Sequence, residues 1–236
     1  MTLVPQSTNC SDFSLSPQRS IVAAGASHTF TASIKDDDGV VLDATASTVY
    51  TSSNSSDTIT GNVLTATAAG VRTITATHIG FVDTATVTVI PSVTTAINVS
   101  PQTATASADA TTTFTVTAED AYGNQTDVTA LAAYTSSNSS DTFADNVLTA
   151  PTAGTRAITA THGGRTDTAK LTVTAGALRS IGLALSGTQV NQGDSITATV
   201  EGFDAAGNSL GDLTSAVTLS SDQATDIVNG NTVTFP

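Results

Sequence analysis

The chain has one cysteine, Cys10, and no tryptophan in 236 residues. A lone thiol excludes an internal disulfide and a cysteine-based metal centre. With no tryptophan and three tyrosines, the aromatic platforms that sugar recognition uses are almost lacking. Tyr50 and Tyr134 read as core, which leaves Tyr122, in a turn, as the exposed ring. Basic residues number seven against 20 acidic ones. They are scattered (Arg19, Lys35, Arg72, Arg156, Arg165, Lys170, Arg179), so no positive stripe exists to neutralise phosphates, and nucleic acid is not an expected partner. No run of about 18 apolar residues is present, so no membrane insertion by a helix is expected. The opening MTLVPQSTNC has neither the basic start nor the apolar stretch of a signal peptide. The targeting signal of an exported parent would lie outside this sequence.

What the chain does have is threonine and serine, 47 and 26 of them. Threonine and valine branch at Cβ and fit a pleated, half-buried surface, whereas helix-forming residues are scarce here. The formal charge of −13 favours solubility and names no partner.

A repeat organises the sequence. Residues 43–89 align with 127–173 without a gap at an offset of 84, with 31 identities in 47 positions. The run Tyr50–Thr58 recurs as Tyr134–Thr142, Asn62–Ala66 as Asn146–Ala150, and Ile74–His78 as Ile158–His162. A third copy is more diverged: Asp204, Gly207 and Asn208 match Asp120, Gly123 and Asn124, and Asp212, Asn231 and Pro236 match Asp127, Asn146 and Pro151 after one inserted residue. The counterpart of residues 152–174 does not occur in copy three. Thr2-Leu-Val-Pro5 resembles Thr88-Val-Ile-Pro91, which reads residues 1–13 as a remnant or linker. The expected organisation is copy one at 14–91, copy two at 97–175 and an incomplete copy three at 178–236, a segment of a longer array.

Alternation places the strands. Phe30, Ala32 and Ile34 share one face of a strand over 27–35. Ile74 and Ala76 share one face of 72–78, and Ala85, Val87 and Val89 one face of 83–90. Leu64 with Ala66, Ile59 and Tyr50 mark shorter strands, and Gly39, Gly70 and Gly80 fall between the runs. About seven short strands per copy, each with one apolar face, predict an all-β fold: tandem immunoglobulin-like β-sandwich copies of about 84 residues, the third truncated.

The stretch from Asp43 through Tyr50, Ile59, Leu64, Gly70 and Ile74 to Val89 resembles the bacterial immunoglobulin-like domain family, group 2. It carries an aromatic on a central strand, a Ser/Asn-rich link (Ser52–Ser56), Asn62-Val-Leu-Thr-Ala66, and Ala69-Gly70-Val-Arg-Thr-Ile74-Thr-Ala76. Copy two matches in full; copy three has Leu219 in place of the aromatic. The resemblance implies stalks and adhesive arms of bacterial surface proteins, spacers beside catalytic domains, or parts of phage virions.

Candidate sites are few. Asp36-Asp37-Asp38-Gly39 groups carboxylates as calcium prefers, but its counterparts Asp120-Ala-Tyr-Gly123 and Asp204-Ala-Ala-Gly207 keep only the first aspartate and the glycine, a turn pattern. His28, His78 and His162 lie in separate places, the latter two at equivalent strand ends, and do not share an ion. No nucleophile, base and orienting acid form a motif. No cofactor is expected and the chain is read as non-catalytic.

The expected function is a semi-rigid stalk or spacer of a cell-surface or secreted, adhesin-like bacterial protein. Links shorter than ten residues, one with Pro91, favour a stiff arrangement. A phage virion part and a strand-donating filament or surface-layer subunit are the alternatives. The expected partner is an unidentified protein or cell-surface ligand. A neighbouring chain donating a strand to copy three is a further expectation.

Overall fold

The computed structural model describes residues 10–236; the Thr2–Pro5 match lies outside them. No α-helix occurs among the described residues, and three single-turn 3-10 helices interrupt an otherwise all-β chain. Copy one forms β1 (Cys10–Ser16), β2 (Arg19–Ala23), β3 (Ser27–Thr29), β4 (Thr31–Asp36), β5 (Val41–Asp43), β6 (Val49–Ser52), β7 (Thr58–Thr60), β8 (Val63–Thr65), β9 (Gly70–His78) and β10 (Phe81–Ile90). One layer is the four-stranded sheet β2-β10-β9-β6; the other is made of β1-β4-β5 and β3-β8-β7. The long hairpin β9–β10 pairs from Phe81↔His78 to Val89↔Gly70, and β2 runs parallel to β10 along the edge of that hairpin.

The alternation that marked the strands also fills the core. Phe13, Leu15, Phe30, Ala32, Ile34 and Leu64 from one layer, with Ala66 just past β8, meet Tyr50, Ile74, Ala76, Ala85, Val87 and Val89 from the other. Each Phe, Leu, Ile or Val fully removed from water contributes about 1.5–3 kcal/mol. The alanines among them contribute less, so the core is thin.

The strand expected over 27–35 is two strands. The chain bends at Phe30, where β3 pairs with β8 and β4 pairs with β1 and β5. Asn62 holds the bend: its carbonyl accepts from the Phe30 N–H at 2.9 Å and its side-chain amide donates to the Phe30 carbonyl at 2.6 Å. Phe114 and Asn146 repeat both bonds at 2.9 and 2.6 Å. Alternation survives because the bend leaves Phe30 pointing inward, which is why the sequence pattern shows no break.

Copy two forms β11 (Thr94–Ser100), β12 (Thr103–Ser107), β13 (Thr111–Thr113), β14 (Thr115–Asp120), β15 (Gln125–Asp127), β16 (Ala133–Ser136), β17 (Thr142–Ala144), β18 (Val147–Thr149), β19 (Gly154–His162) and β20 (Arg165–Thr174), in the same three sheets. Copy three forms β21 (Ser180–Leu185), β22 (Ser195–Phe203), β23 (Ser209–Asp212), β24 (Ile227–Asn229) and β25 (Thr232–Thr234). These belong to the layer of β21-β22-β25-β24 alone, with β23 on β22. The segments 187–191 and 218–221, the counterparts of β12 and β16, are without strand. In copy two those strands pair with β20 and β19.

The chain divides into two compact units. The first holds the described residues up to Ile97 together with Thr117–Asp127; the second holds Asn98–Val116 and Val128–Pro236. The border therefore cuts through copy two, and the tip joining β14 to β15 belongs with copy one.

Candidate functional site: the turns that join successive copies

The turn after β14 begins at Asp120, a buried carboxylate. Its Oδ1 accepts from the N–H groups of Tyr122 (2.8 Å) and Asn124 (2.9 Å), which closes the turn. Its Oδ2 accepts from the Asn124 side-chain amide and from the N–H of Ser92, in the link between β10 and β11, both at 2.8 Å. Asn124 then reaches copy one. Its Oδ1 accepts from the Ala69 N–H at 2.6 Å and its Nδ2 donates to the Thr67 carbonyl at 2.8 Å. An asparagine suits this place because its amide supplies a donor and an acceptor in one plane. Tyr122, half-exposed as expected for a turn residue, lays its ring against Gly25 of copy one, where a Cβ would stand 1.9 Å from the phenol oxygen.

The second unit repeats the device at Asp204 and Asn208. Asp204 Oδ1 accepts from the N–H groups of Ala206 and Asn208, and Oδ2 from the Asn208 amide and the Gly176 N–H, all within 2.7–2.9 Å. Asn208 accepts from Ala153 N–H at 2.7 Å and donates to the Pro151 carbonyl at 2.8 Å. The packing partner changes with its neighbour: Ala206 stands where Tyr122 does, and Asp109, in the place of Gly25, accepts from the Ala177 N–H at 2.7 Å.

Burial works to raise the pKa of both aspartates. The Asn amides and three N–H donors apiece outweigh it, holding Asp120 far below the ordinary carboxylate value and bringing Asp204 down to about 2. Both carboxylates are thus occupied as anions by the protein's own donors.

The loop that Asn124 grips is built from beneath by a buried ion pair. Arg72 and Asp57 are 2.6 Å apart with side chains 1% and 0% exposed. The guanidinium also donates to the carbonyls of Gly70 (2.9 Å) and Ala68. Asp57 is placed by Ser52, which donates to its Oδ2 at 2.6 Å. Copy two has Ser136 on Asp141 at 2.6 Å and Arg156 on the Thr152 carbonyl at 2.5 Å. There the Arg156–Asp141 separation is 3.1 Å, a charge contact whose direction leaves Nε without a hydrogen bond. The near-identity of Tyr50–Thr58 and Tyr134–Thr142 thus has a structural cause, since Ser52, Asn54 and Asp57 fold a loop that sets an acid under an arginine.

The other sequence candidates fall elsewhere. Asp36 caps its own turn, with Oδ1 accepting from the Val40 N–H at 2.8 Å; Asp37 and Asp38 are exposed. Val40 occupies the position of Asn124 and Asn208, so copy one's turn lacks the grip. No group of three or more metal-ligating side chains occurs among the described residues. His28 sits edge-on to Phe30 with burial lowering its pKa. His78 is buried against Phe13 and bonds Ser47; His162 approaches the Leu131 carbonyl at 3.5 Å. Tyr50 is in the core as expected, while Tyr134 is only half-buried, stacked on Phe143. No helix among the described residues is long and apolar enough to cross a membrane. Sequence reading missed Asn124, Asn208, Arg72, Arg156, Asp57 and Asp141. Their signal was present: each recurs at the copy offset, and conserving a rare charge between copies is unusual in a chain with seven bases.

No family model and no curated protein matches the chain. Solved structures match at the level of fold. The Escherichia coli adhesin FdeC is similar over 83% of this chain and 73% of that one, at 20% identity and TM-score 0.53. A protocadherin gammaB7 EC3–6 structure is similar over 95% and 68%, at 12% identity and TM-score 0.50. Surface-layer protein SbsC, domains 4–9, aligns with 95% of this chain at 21% identity and TM-score 0.32, and this chain spans 42% of it. The fold is that of tandem immunoglobulin-like β-sandwiches.

Proposed function

We propose that this chain is a non-catalytic spacer, a semi-rigid row of group 2 bacterial immunoglobulin-like copies in a cell-surface or secreted protein. The observation that carries the reading is the repeated grip, in which Asp120–Asn124 and Asp204–Asn208 each tie a link and a loop of the preceding copy to the following one. Both devices direct their polar atoms at the protein's own backbone, which suits a joint rather than a ligand site. The fold shared with an Escherichia coli adhesin supports a place on the cell exterior, holding a binding element away from a surface. A strand of seven to ten residues at ~3.3 Å each spans about 25–33 Å, so each copy adds on the order of 35 Å of reach.

Small-angle scattering on the chain tests this. An elongated monomer whose profile fits copies in line supports the spacer; a compact globule contradicts it.

A further inference from the structure

The internal repeat supplies a control for what each position needs. The inward residues of the long hairpin are kept between copies: Ile74, Ala76, Ala85 and Val89 recur as Ile158, Ala160, Ala169 and Val173, all buried. The outward face of the sheet β2-β10-β9-β6 behaves differently. Ile21, Val71, Val49 and Val82 stand 72%, 70%, 65% and 60% exposed there, and Ile90 is exposed on the same face. Their counterparts in copy two are Thr105, Thr155, Ala133, Thr166 and Thr174. The fold is thus satisfied by small or polar residues at these positions, and nothing in it requires aliphatic side chains in copy one. Strand pairing collects them in two rows. Thr88 of β10 lies between Ile21 of β2 and Val71 of β9, and Thr77 of β9 lies between Val49 of β6 and Val82 of β10. Threonines fill the face between the rows. Arg19 is the one charged residue that faces outward on these four strands, and none is acidic, in a chain with 20 acids and a formal charge of −13.

We infer that this face of copy one is a self-association surface whose occupant is the same face of a second copy of the chain. Electrostatics select that occupant. Two chains of charge −13 repel one another, and a sheet face without a carboxylate is where they approach at least cost. The aliphatic rows supply the attraction: single exposed apolar residues are ordinary, whereas rows at cross-strand spacing make a patch. Two sheets pack face to face about 10 Å apart with strand directions within about 30°, the arrangement that already builds the interior of each copy. A two-fold axis lying between the faces sets each aliphatic row on a row of the partner, so one patch serves both sides. Four strands about 4.8 Å apart and ~25–30 Å long give a footprint of about 500 Å² per copy. A total of roughly 1,000 Å² is the low end for a specific interface, so the dimer is weak and reversible. The inference goes beyond the spacer reading and does not rest on it, since the face of copy one is the same whether or not the joints are stiff.

Sedimentation equilibrium of the full chain, from about 10 µM to about 1 mM, tests this. A monomer–dimer equilibrium with Kd on the order of 0.1–1 mM is expected for an interface of this size. Ile21→Thr, Val71→Thr and Val82→Thr together give copy one the residues that copy two carries at the same places, which spares the fold. They should weaken the dimer at least about tenfold. Leu131 is 73% exposed in copy two, where copy one has Ser47, and lies off this sheet; Leu131→Ser should leave the dimer unchanged. On dilution, amide shifts should move at Thr75 and Thr84 of copy one and stay fixed at Thr159 and Thr168 of copy two. A chain still monomeric at about 1 mM overturns the inference. If phosphatidylcholine vesicles then carry down that chain but not the triple variant, the occupant is a lipid surface instead. A dimer that the triple variant leaves intact, or that Leu131→Ser abolishes, overturns it as well.

Discussion

Arg72 and Asn124 hold the same segment, residues 67–70, from opposite sides. The guanidinium, buried in copy one, bonds the carbonyls of Ala68 and Gly70, while the Asn124 amide, from the turn of copy two, bonds the Thr67 carbonyl and the Ala69 N–H. The buried charge therefore shapes the segment that the Asp120–Asn124 turn grips. Pre-organisation of this kind lowers the ordering cost of forming the joint.

Asn124→Ala removes two bonds to the loop and one to Asp120. At about 0.5–1.5 kcal/mol net for each of the two loop bonds, Ala69 N–H exchange should accelerate roughly five- to a hundredfold. The core amides of β9 should keep their protection. Asn208→Ala should act the same way at Ala153. Mass-resolved or NMR-detected exchange checks both.

Arg72→Met leaves Asp57, 0% exposed at its side chain, without a counter-charge. The expected loss is about 3–5 kcal/mol, read by urea denaturation. Asp57→Leu combined with Arg72→Met should recover much of it, since replacing both partners by apolar groups is often close to neutral. Ala69 N–H should exchange faster in the single and the double variant, because both lose the bonds to Ala68 and Gly70.

The joints should weaken in acid. Asp120 and Asp204 have pKa values below the unfolded value of ~3.9, Asp204 at about 2. A depressed pKa means the unfolded chain binds protons first, so the stability these groups contribute is complete above about pH 4–5. It is lost as the pH falls toward 2. Exchange at Ser92 and Gly176 followed from pH 5 downward, corrected for intrinsic rates, should show opening in that window.

Ile79 takes a left-handed conformation, φ 45°, while 81% exposed. Its counterpart in copy two is Gly163, φ 56°. The left-handed region costs a side-chain-bearing residue roughly 1–2 kcal/mol, and Ile79 has little packing to lose. Ile79→Gly should raise stability by about 1 kcal/mol after the entropy of glycine is set against the relief of strain. A shift of the urea midpoint with unchanged slope checks it.

Most of the fold was legible because β periodicity is local: Ile74, Val87 and Phe30 are buried where alternation put them. The bend at Phe30 was not, since it depends on Asn62, 32 residues away, and leaves the alternation intact. Asp120 was read correctly as a turn residue, and the repeat had aligned Asn124 with Asn208. What alternation could not show is that the side chain of a turn points at another copy. Arg72 and Asp57 were hidden for a related reason, as a charge beside polar neighbours such as Ser56, Thr58 and Thr73 looks like a solvent-facing position until its partner is located.

The central claim is that Asn124 fixes the joint between copies one and two. Spin labels at Thr84→Cys and Thr126→Cys, both exposed positions of the first unit, in a Cys10→Ser background, report it through the width of the distance distribution. The account predicts a narrow distribution that broadens with Asn124→Ala. A distribution equally wide with and without that change would contradict it.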